Sequence, residues 1–418
     1  MPCISCFFHL NFQSDLKLKC LDKDRFETRL QKYKELFIMN LKELKNVEEC
    51  SCKHENNGLD YIDFLNEFTS ELKQNEKLFI EVFDDLIEIY MNAISKNQKL
   101  ALELFWNFFT KYKLDSIDTE KSLSLQTLWF RCREKKDFDE KNILSFFHIP
   151  FNMRYLVSNQ RFSITGQPML YFGNSLYITT KELENTIENL GKSAFLPNSR
   201  FYNKKIFSLK NTLFELIENY IKPIINSGSN LNFKSDYADT FMKIDIIQNI
   251  LSFVCTFPKK GNFPHNEEYI LPQMLTTLLL EHNYDGIIYP STKDLSDLQG
   301  VHNFSNYNLN LALFVNYVDD DNHDKLLLNS FSYYLLDGNE TFNLTLNDIN
   351  EAKRNALKSI SRDPENNDFL NPRIIIQNKI DYLKEATFGD MKYYDSNIGK
   401  VELELILKML NDGIILNK

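Results

Sequence analysis

The apolar residues of this chain change their spacing after Asp115, and that change restricts the fold more than any other feature. Up to about Tyr112 they recur every three or four residues, which is the period of an amphipathic helix. The pattern is clearest in two stretches, namely Phe79, Val82, Phe83, Leu86, Ile87, Tyr90 and Ile94, and then Leu104, Phe105, Phe108, Phe109 and Tyr112. We therefore predict an all-helical N-terminal domain over residues 1–115.

Beyond residue 115, short β-prone runs lie between helical patterns, which is typical of an α+β domain. The predicted strands are residues 169–172, 177–179, 287–289 and 309–317, and the predicted helices are residues 181–190, 270–282, 349–360 and 401–410. A chain of 418 residues is too long for one core. The predicted boundaries are residues 1–115, 116–320 and 321–418, with the last segment a partly helical extension packed on the second domain.

Composition excludes several classes of function. The net charge of −10 opposes binding to phosphate backbones and anionic membranes. The apolar stretches are shorter than the roughly 20 residues that a membrane span needs, and the N-terminus lacks the features of a signal peptide. We therefore expect a cytoplasmic protein without nucleic-acid or membrane partners. The motifs GxGxxG, HExxH and GxSxG do not occur, which argues against the commonest dehydrogenases, metalloproteases and serine hydrolases.

Five of the seven cysteines lie within the first 52 residues. In a reducing compartment such cysteines are free thiols or metal ligands. Cys3 and Cys6 form one close pair and Cys50 and Cys52 form another, and two pairs can close a tetrahedral zinc site of structural type. The second pair has one intervening residue where two or more are preferred, so scattered thiols without metal remain the alternative.

Three further blocks contain residues suited to chemistry. The first, residues 128–133, is an aromatic strand on which Arg131 and Arg133 share a face. Two guanidinium groups on one face can bind a diphosphate through charge-assisted hydrogen bonds. The alternative is an edge strand with solvated arginines.

The second block, residues 161–182, contains a turn, a strand bearing Tyr171 and a predicted helix start at which Glu182 lies. Thr179 and Glu182 have the spacing of a capping box, so Glu182 has a purely structural alternative in which it binds the backbone of the helix start. The third block, residues 284–292, is a short buried strand followed by Ser291, which can contact a phosphate or ribose or be an ordinary turn residue.

In this order the three blocks resemble the RES family, which is named for its Arg, Glu and Ser. The resemblance runs over roughly residues 125 to 320, through FRCR, RFSITGQPMLYFGNSLYITTKE, EYILPQMLTT, DGIIYPST and NLNLALF. It implies a fold similar to that of ADP-ribosylating toxins and cleavage of the nicotinamide–ribose bond of NAD⁺. The stretches CISCF and ECSC also resemble the Cys-bearing helical domain that precedes the RES domain in some longer members.

The resemblance implies a role for each motif residue. The family's arginine, tyrosine, glutamate and serine fall on Arg131, Tyr171, Glu182 and Ser291. Glu182 would stabilise the cationic sugar, and Arg131 would hold the diphosphate with Arg161 and Arg133 as further substrate contacts. Tyr171 would contact nicotinamide and Ser291 phosphate.

The chain departs from the family pattern in two places. Cys132 stands where many members have an aromatic residue, and the insertion between the first two blocks is longer. The activity that the resemblance implies is an NAD⁺ phosphorylase or glycohydrolase that depletes NAD⁺ as a toxin or phage-defence effector. Two alternatives are a protein ADP-ribosyltransferase and a decayed interaction protein. The expected partners are NAD⁺, phosphate, an antitoxin or immunity protein, and a second copy of the chain.

Overall fold

A computed structural model describes residues 2–21, 24–50, 59–116, 127–135, 142–209, 237–261, 263–293, 308–336 and 372–411, together with residues 213, 298, 299, 351 and 354. The chain forms two compact units. The first, the helical unit, consists of residues 1–117, 159–162 and 209–282. The second, the sheet unit, consists of residues 118–158, 163–208 and 283–418. The predicted α+β class with a helical N-terminal region is confirmed.

The units divide the chain differently from the predicted boundaries. Residues 209–282 belong to the helical unit with the N-terminal helices, although their position in the sequence lies between strands of the sheet unit. Residues 283–418 belong to the sheet unit, so the C-terminal segment shares a unit with residues 163–208. Among the described residues, no helix is long and apolar enough to cross a membrane.

The helices described are, in chain order, α1 (Ile4–Phe7), α2 (Leu10–Leu18), α3 (Phe26–Lys42), α4 (Leu59–Gln74), α5 (Glu76–Ile94), α6 (Gln98–Lys111), α7 (Leu176–Leu183), α8 (Tyr237–Cys255), α9 (Ile270–Glu281), α10 (Lys325–Leu328), α11 (Pro372–Glu385) and α12 (Asn397–Asn411). Helices α1–α6, α8 and α9 belong to the helical unit. The predicted helices at residues 270–282 and 401–410 are confirmed by α9 and α12. The predicted helix at residues 349–360 lies almost wholly outside the described residues.

Aromatic packing holds the helical unit together. The predicted apolar stripe of α5 is buried at Phe79, Val82, Phe83, Leu86 and Tyr90. Its other two members differ from the prediction, because Ile87 is half-buried and Ile94 is 41% exposed, whereas Ile89, outside the stripe, is buried. The ring of Phe83 packs on that of Phe37 from α3 at a centroid distance of 5.2 Å. Such edge-to-face contacts add to the area that the helices bury.

The strands are β1 (Trp129–Glu134), β2 (Met169–Gly173), β3 (Leu190–Pro197), β4 (Ile206–Ser208), β5 (Gly286–Pro290), β6 (Leu298–Gln299), β7 (Leu309–Phe314), β8 (Phe331–Leu336), β9 (Thr387–Phe388) and β10 (Met391–Lys392). Seven of them form one sheet in the order β4-β5-β7-β2-β1-β3-β8. Only β4 and β5 are parallel in this sheet, so it is mixed. The strands β6, β9 and β10 form a small second sheet.

Two predictions between β2 and β3 are wrong. Residues 177–179 are helical, because Ser175 caps the start of α7 and its side chain accepts a hydrogen bond from the backbone N–H of Ile178. The predicted helix at residues 181–190 ends at Leu183, because Glu184 adopts a left-handed conformation with φ 51°. The strand β3 then begins at Leu190.

Both faces of the seven-stranded sheet are apolar. One face, called here the helix-covered face, includes Phe130 and Ala194 and packs against Tyr382 of α11 and Ile406 of α12. The opposite face includes Trp129 and Phe172 and packs against loops and the short helix α10. The buried residues of this opposite face, and of the loops and helices that cover it, are Trp129, Phe146, Phe147, Leu170, Phe172, Phe195, Phe201, Ile206, Ile288, Leu309, Leu311, Leu313, Leu327 and Phe331.

A buried histidine joins two loops beside the opposite face. Nδ1 of His148 lies 2.8 Å from the carbonyl oxygen of Ile149, and Nε2 accepts a hydrogen bond of 2.9 Å from the backbone N–H of Asp324. These contacts require the neutral imidazole with its proton on Nδ1. Burial lowers the pKa of His148 to about 4 because it disfavours the charged form.

We expect His148 to make the stability of the protein depend on pH. The unfolded chain takes up a proton near pH 6.5 and the folded chain near pH 4, so stability falls as the pH drops through that interval. His148→Phe should melt at a lower temperature than wild type at pH 7, because it leaves the Asp324 N–H without its acceptor. It should also lose less stability between pH 7 and pH 5. Thermal melting of both proteins at both pH values measures this, and equal losses would contradict the prediction.

Candidate active site

Glu182 and Ser291 meet at one point of the sheet unit, although 109 residues separate them. Oγ of Ser291 donates a hydrogen bond of 2.7 Å to Oε1 of Glu182. The amide of Asn310 donates a second bond of 2.8 Å to the same oxygen. Glu182 is exposed and Asn310 is buried, so the carboxylate lies at the surface and is held from beneath.

The position of Glu182 in α7 rules out the capping-box interpretation. Ser175 is the N-cap of α7, so Glu182 lies in the last turn of the helix. The hydroxyl of Thr179, the other member of the predicted box, donates to the carbonyl of Leu176 within the helix. Glu182 therefore does not bind the helix start.

The last turn of a helix is an unfavourable place for a carboxylate. The C-terminal end carries partial negative charge from unpaired carbonyls, so a glutamate there is repelled rather than stabilised. The two donors from Ser291 and Asn310 offset this repulsion at Glu182. A local conflict of this kind, resolved only by tertiary contacts, is typical of functional sites.

The strands β5 and β7 place the two donors. Asn310 on β7 is paired with Gly173 of β2 and with Tyr289 of β5. Ser291 follows β5 directly, and its backbone N–H donates to the carbonyl of Asn308, which extends the pairing of β5 with β7. Two adjacent strands therefore fix the separation of the two side chains.

Tyr171 lies on the same side of the sheet as Asn310. It pairs with Ala312 of β7, and alternation along the strand places both on the side of Phe130, the helix-covered face. The hydroxyl oxygen of Tyr171 is 2.8 Å from Oγ of Ser163. Ser163 thus fixes the orientation of a half-buried phenol.

Arg131 contacts the strand that carries Tyr171 but lies on the other side of β1. It alternates with Phe130 and Cys132, so its side chain shares the side of Trp129 with Arg133. Nη1 of Arg131 donates a hydrogen bond of 2.6 Å to the backbone carbonyl of Tyr171. This contact lies where β1 and β2 diverge, since Phe130 and Gly173 are the one pair in their register.

Arg131 is partly buried. Burial and the nearby Arg133 guanidinium lower the pKa of Arg131, although an arginine remains charged under these conditions. Its Nε is buried and has no hydrogen-bond partner among the described residues. Arg133 donates through Nη2 to the carbonyl of Phe147 at 3.1 Å.

Arg161 has partners that the sequence did not predict. It belongs to the helical unit, is 8% exposed, and donates through Nη1 to the carbonyls of Cys255 and Phe257 at 3.1 and 2.8 Å. These carbonyls lie at and just beyond the C-terminal end of α8, where a cation is favoured by the helix dipole. Its guanidinium also lies 5.0 Å from the ring centroid of Tyr269.

Cys132, the departure from the family pattern, packs against α7. Its Sγ lies 3.2 Å from Oγ1 of Thr179, and burial raises its pKa to about 12. The side chain of Cys132, which is smaller than an aromatic one, therefore lies beneath α7, the helix that carries Glu182. A thiol with so high a pKa is an unreactive packing group.

Sequence reasoning missed Asn310 and Ser163. Asn310 interrupts the apolar run of β7 with a polar side chain, which in a buried strand requires a hydrogen-bond partner. That interruption was the available signal. Ser163 gives no comparable signal, because a serine near a glycine turn is common.

Three cysteines of the helical unit form a cluster that can hold a metal ion. The sulfur atoms of Cys3, Cys6 and Cys50 all lie within 4.8 Å of one another. Sγ of Cys6 and Sγ of Cys50 are 3.9 Å apart, and the backbone N–H of Cys3 donates to Sγ of Cys50 at 3.3 Å. The fourth predicted ligand, Cys52, lies outside the described residues.

The fold and the site define an α+β protein in which a surface glutamate is held by a serine and an asparagine from two adjacent strands. The chain is similar to a Bacillus subtilis (strain 168) protein named "Putative toxin YopC", with 25% identity over 324 residues, which cover 68% of this chain and 67% of that protein. No protein-family model and no solved structure matches the chain. The name describes that relative as a toxin and gives no reaction.

Proposed function

We propose that this protein cleaves the nicotinamide–ribose bond of NAD⁺ and acts as a toxin that depletes the cellular NAD⁺ pool. The meeting of Glu182 and Ser291 at 2.7 Å carries the proposal, because the resemblance to the RES family assigns these two distant residues to one site. The similarity to a protein named as a toxin supports the biological role. A toxin of this type requires an antitoxin or immunity protein in the cell that makes it, and we propose such a partner.

The chemistry fits the arrangement around Glu182. Departure of nicotinamide leaves an oxocarbenium-like ribose, which nearby negative charge stabilises. The donors Ser291 and Asn310 both bind Oε1 of Glu182, so Oε2 is available, among the described residues, to a ribose hydroxyl. Because the carboxylate is exposed, a substrate can reach it.

The other predicted residues would act around this carboxylate. Tyr171 would present its ring to nicotinamide, with its hydroxyl already fixed by Ser163. Arg131 would support the backbone of Tyr171. Because its guanidinium lies on the other side of β1, a diphosphate would reach its positive charge where β1 and β2 diverge.

The acceptor of the ADP-ribosyl group decides the reaction class. Purified protein is incubated with NAD⁺ labelled in the adenosine, with and without phosphate, and nicotinamide release is followed. ADP-ribose phosphate as product defines a phosphorylase and ADP-ribose a glycohydrolase. Label on protein in a cell extract defines an ADP-ribosyltransferase. Failure to release nicotinamide under all three conditions would overturn the proposal and leave an interaction protein.

Glu182→Gln is the sharpest variant for this test. It removes one negative charge and retains the shape of the side chain, so turnover should fall on the order of 10²-fold or more while the melting temperature changes little. Glu184→Gln is the matched control, because Glu184 follows two residues later, is also exposed, and pairs with Lys293 at 2.6 Å. It should keep its turnover. Wild-type turnover in Glu182→Gln would show that this carboxylate is not catalytic.

We further propose that the cluster of Cys3, Cys6 and Cys50 binds zinc as a structural ion. A tetrahedral zinc bonded to sulfur at about 2.3 Å separates its sulfur ligands by about 3.8 Å. The sulfurs of Cys6 and Cys50 are 3.9 Å apart, which fits that geometry. The ion would join the chain around α1 to the segment after α3.

Metal analysis of the purified protein should find about one zinc per chain. Cys50→Ser should lower both the zinc content and the melting temperature, and a chelator should lower the melting temperature of wild type toward that of the variant. Cys255→Ser, at a buried thiol outside the cluster, should retain its zinc. Absence of zinc from protein grown with added zinc, and no effect of chelator, would leave the cysteines as simple thiols.

A further inference from the structure

Two charged side chains from the C-terminal helices are buried beneath the start of α7. Nζ of Lys379, on α11, lies 2.6 Å from Oε1 of Glu402, on α12, and the two side chains are 1% and 0% exposed. The ammonium also lies 5.1 Å from the ring centroid of Phe130 on β1. The ion pair is therefore enclosed between the C-terminal helices and the helix-covered face of the sheet.

Each charge also binds a backbone group where β2 passes into α7. Nζ of Lys379 donates a hydrogen bond of 2.6 Å to the carbonyl of Asn174. Oε2 of Glu402 accepts one of 2.9 Å from the backbone N–H of Leu176 and one of 2.8 Å from the hydroxyl of Tyr393. The N–H of Leu176 is among the first four of the helix, which have no acceptor within it. Lys379 and Glu402 thus hold both sides of this junction.

The same junction is tied to the strand that carries Asn310. The backbone N–H of Asn174 donates to the carbonyl of Leu309, and Oδ1 of Asn174 accepts from the N–H of Leu309 at 3.1 Å. Leu309 directly precedes Asn310. In the other direction, Glu182 lies six residues beyond Leu176, which is about 9 Å along a helix axis. The direction in which α7 leaves the junction therefore sets where its Glu182 lies relative to Asn310.

Stability alone does not account for a buried ion pair at this place. Burying two charges costs free energy that their attraction often fails to recover, and apolar side chains of similar volume can serve stability as well or better. What apolar side chains cannot do is bind the carbonyl of Asn174 and the N–H of Leu176 in fixed directions. These directional bonds fix the direction in which α7 begins.

We propose that Lys379 and Glu402 are positioning residues that fix the orientation of α7 and thereby hold Glu182 against Ser291 and Asn310. The C-terminal helices are in this way part of the active-site support. The effect on turnover rests on the proposed NAD⁺ cleavage, whereas the effect on α7 does not.

The variant that tests the proposal removes both charges and both backbone contacts, Lys379→Met together with Glu402→Met. Removing both avoids the isolated buried charge that a single substitution leaves, so the protein should fold. We expect turnover of NAD⁺ to fall about tenfold or more with KM changed less than about threefold, because the carboxylate is misplaced while the binding surface remains. Hydrogen exchange at the amides of residues 176–182 should be faster than in wild type.

The control removes an equally buried ion pair from the helical unit. Nη2 of Arg29 contacts Oε1 of Glu268, and the side chains are 0% and 2% exposed. Arg29→Met together with Glu268→Met should match the test variant in charge removed, with turnover and exchange in α7 unchanged. If both double variants lose turnover equally, the loss reflects stability and the positioning role is overturned.

The remaining outcomes separate the two proposals. Wild-type protein without NAD⁺ cleavage overturns the proposed function, and the exchange measurement then decides the positioning role by itself. Unchanged exchange in α7 of the Lys379→Met, Glu402→Met variant overturns that role whatever the activity. Faster exchange with unchanged turnover also overturns it, because α7 would then move without affecting the site.

Discussion

Both faces of the seven-stranded sheet are apolar, and the need to bury them organises the sheet unit. A sheet with one polar, solvated face needs a packing layer on its other face only, whereas this sheet needs a layer on each face. The helices α11 and α12 supply one cover, and loops with the short helix α10 supply the other. The helices α11 and α12, which are distant in sequence from α7, therefore pack beneath α7, the helix that carries Glu182.

The site itself depends on a conflict that tertiary contacts resolve. Glu182 lies in the last turn of α7, where the helix dipole disfavours a carboxylate. Ser291 and Asn310 reach it from two adjacent strands, and Asn310 is buried, so its amide has few alternative partners. An exposed carboxylate with one oxygen held and the other available combines fixed geometry with access for a substrate, as a catalytic group requires.

The predicted arginines separate in the structure. Arg131 binds the backbone of Tyr171 from the opposite side of β1, and Arg161 binds carbonyls at the end of α8 in the helical unit. A motif that is continuous in sequence, residues 161–182, is thus divided between two units, because residues 159–162 belong with the helices. The proposed diphosphate contact consequently rests on Arg131, whereas the bonds of Arg161 go to the backbone.

The sequence by itself determined what periodicity and composition record: the helical stripes, the strands at Arg131, Tyr171 and Ile287, the α+β class, and the close cysteines. It also indicated Glu182 and Ser291 as candidate site residues, since both lie in sequence blocks that resemble those of the RES family. Glu182 is at a helix end and not at a helix start because of a local hydrogen bond from the N–H of Ile178 to the side chain of Ser175, which apolar spacing did not reveal. Tertiary structure decided which groups Glu182 meets at that helix end. It alone supplied Asn310, Lys379 and Glu402, whose partners are 128, 205 and 226 residues away in the chain. Local patterns report which face of an element is buried, but they contain no information about which distant group will satisfy a buried polar atom there.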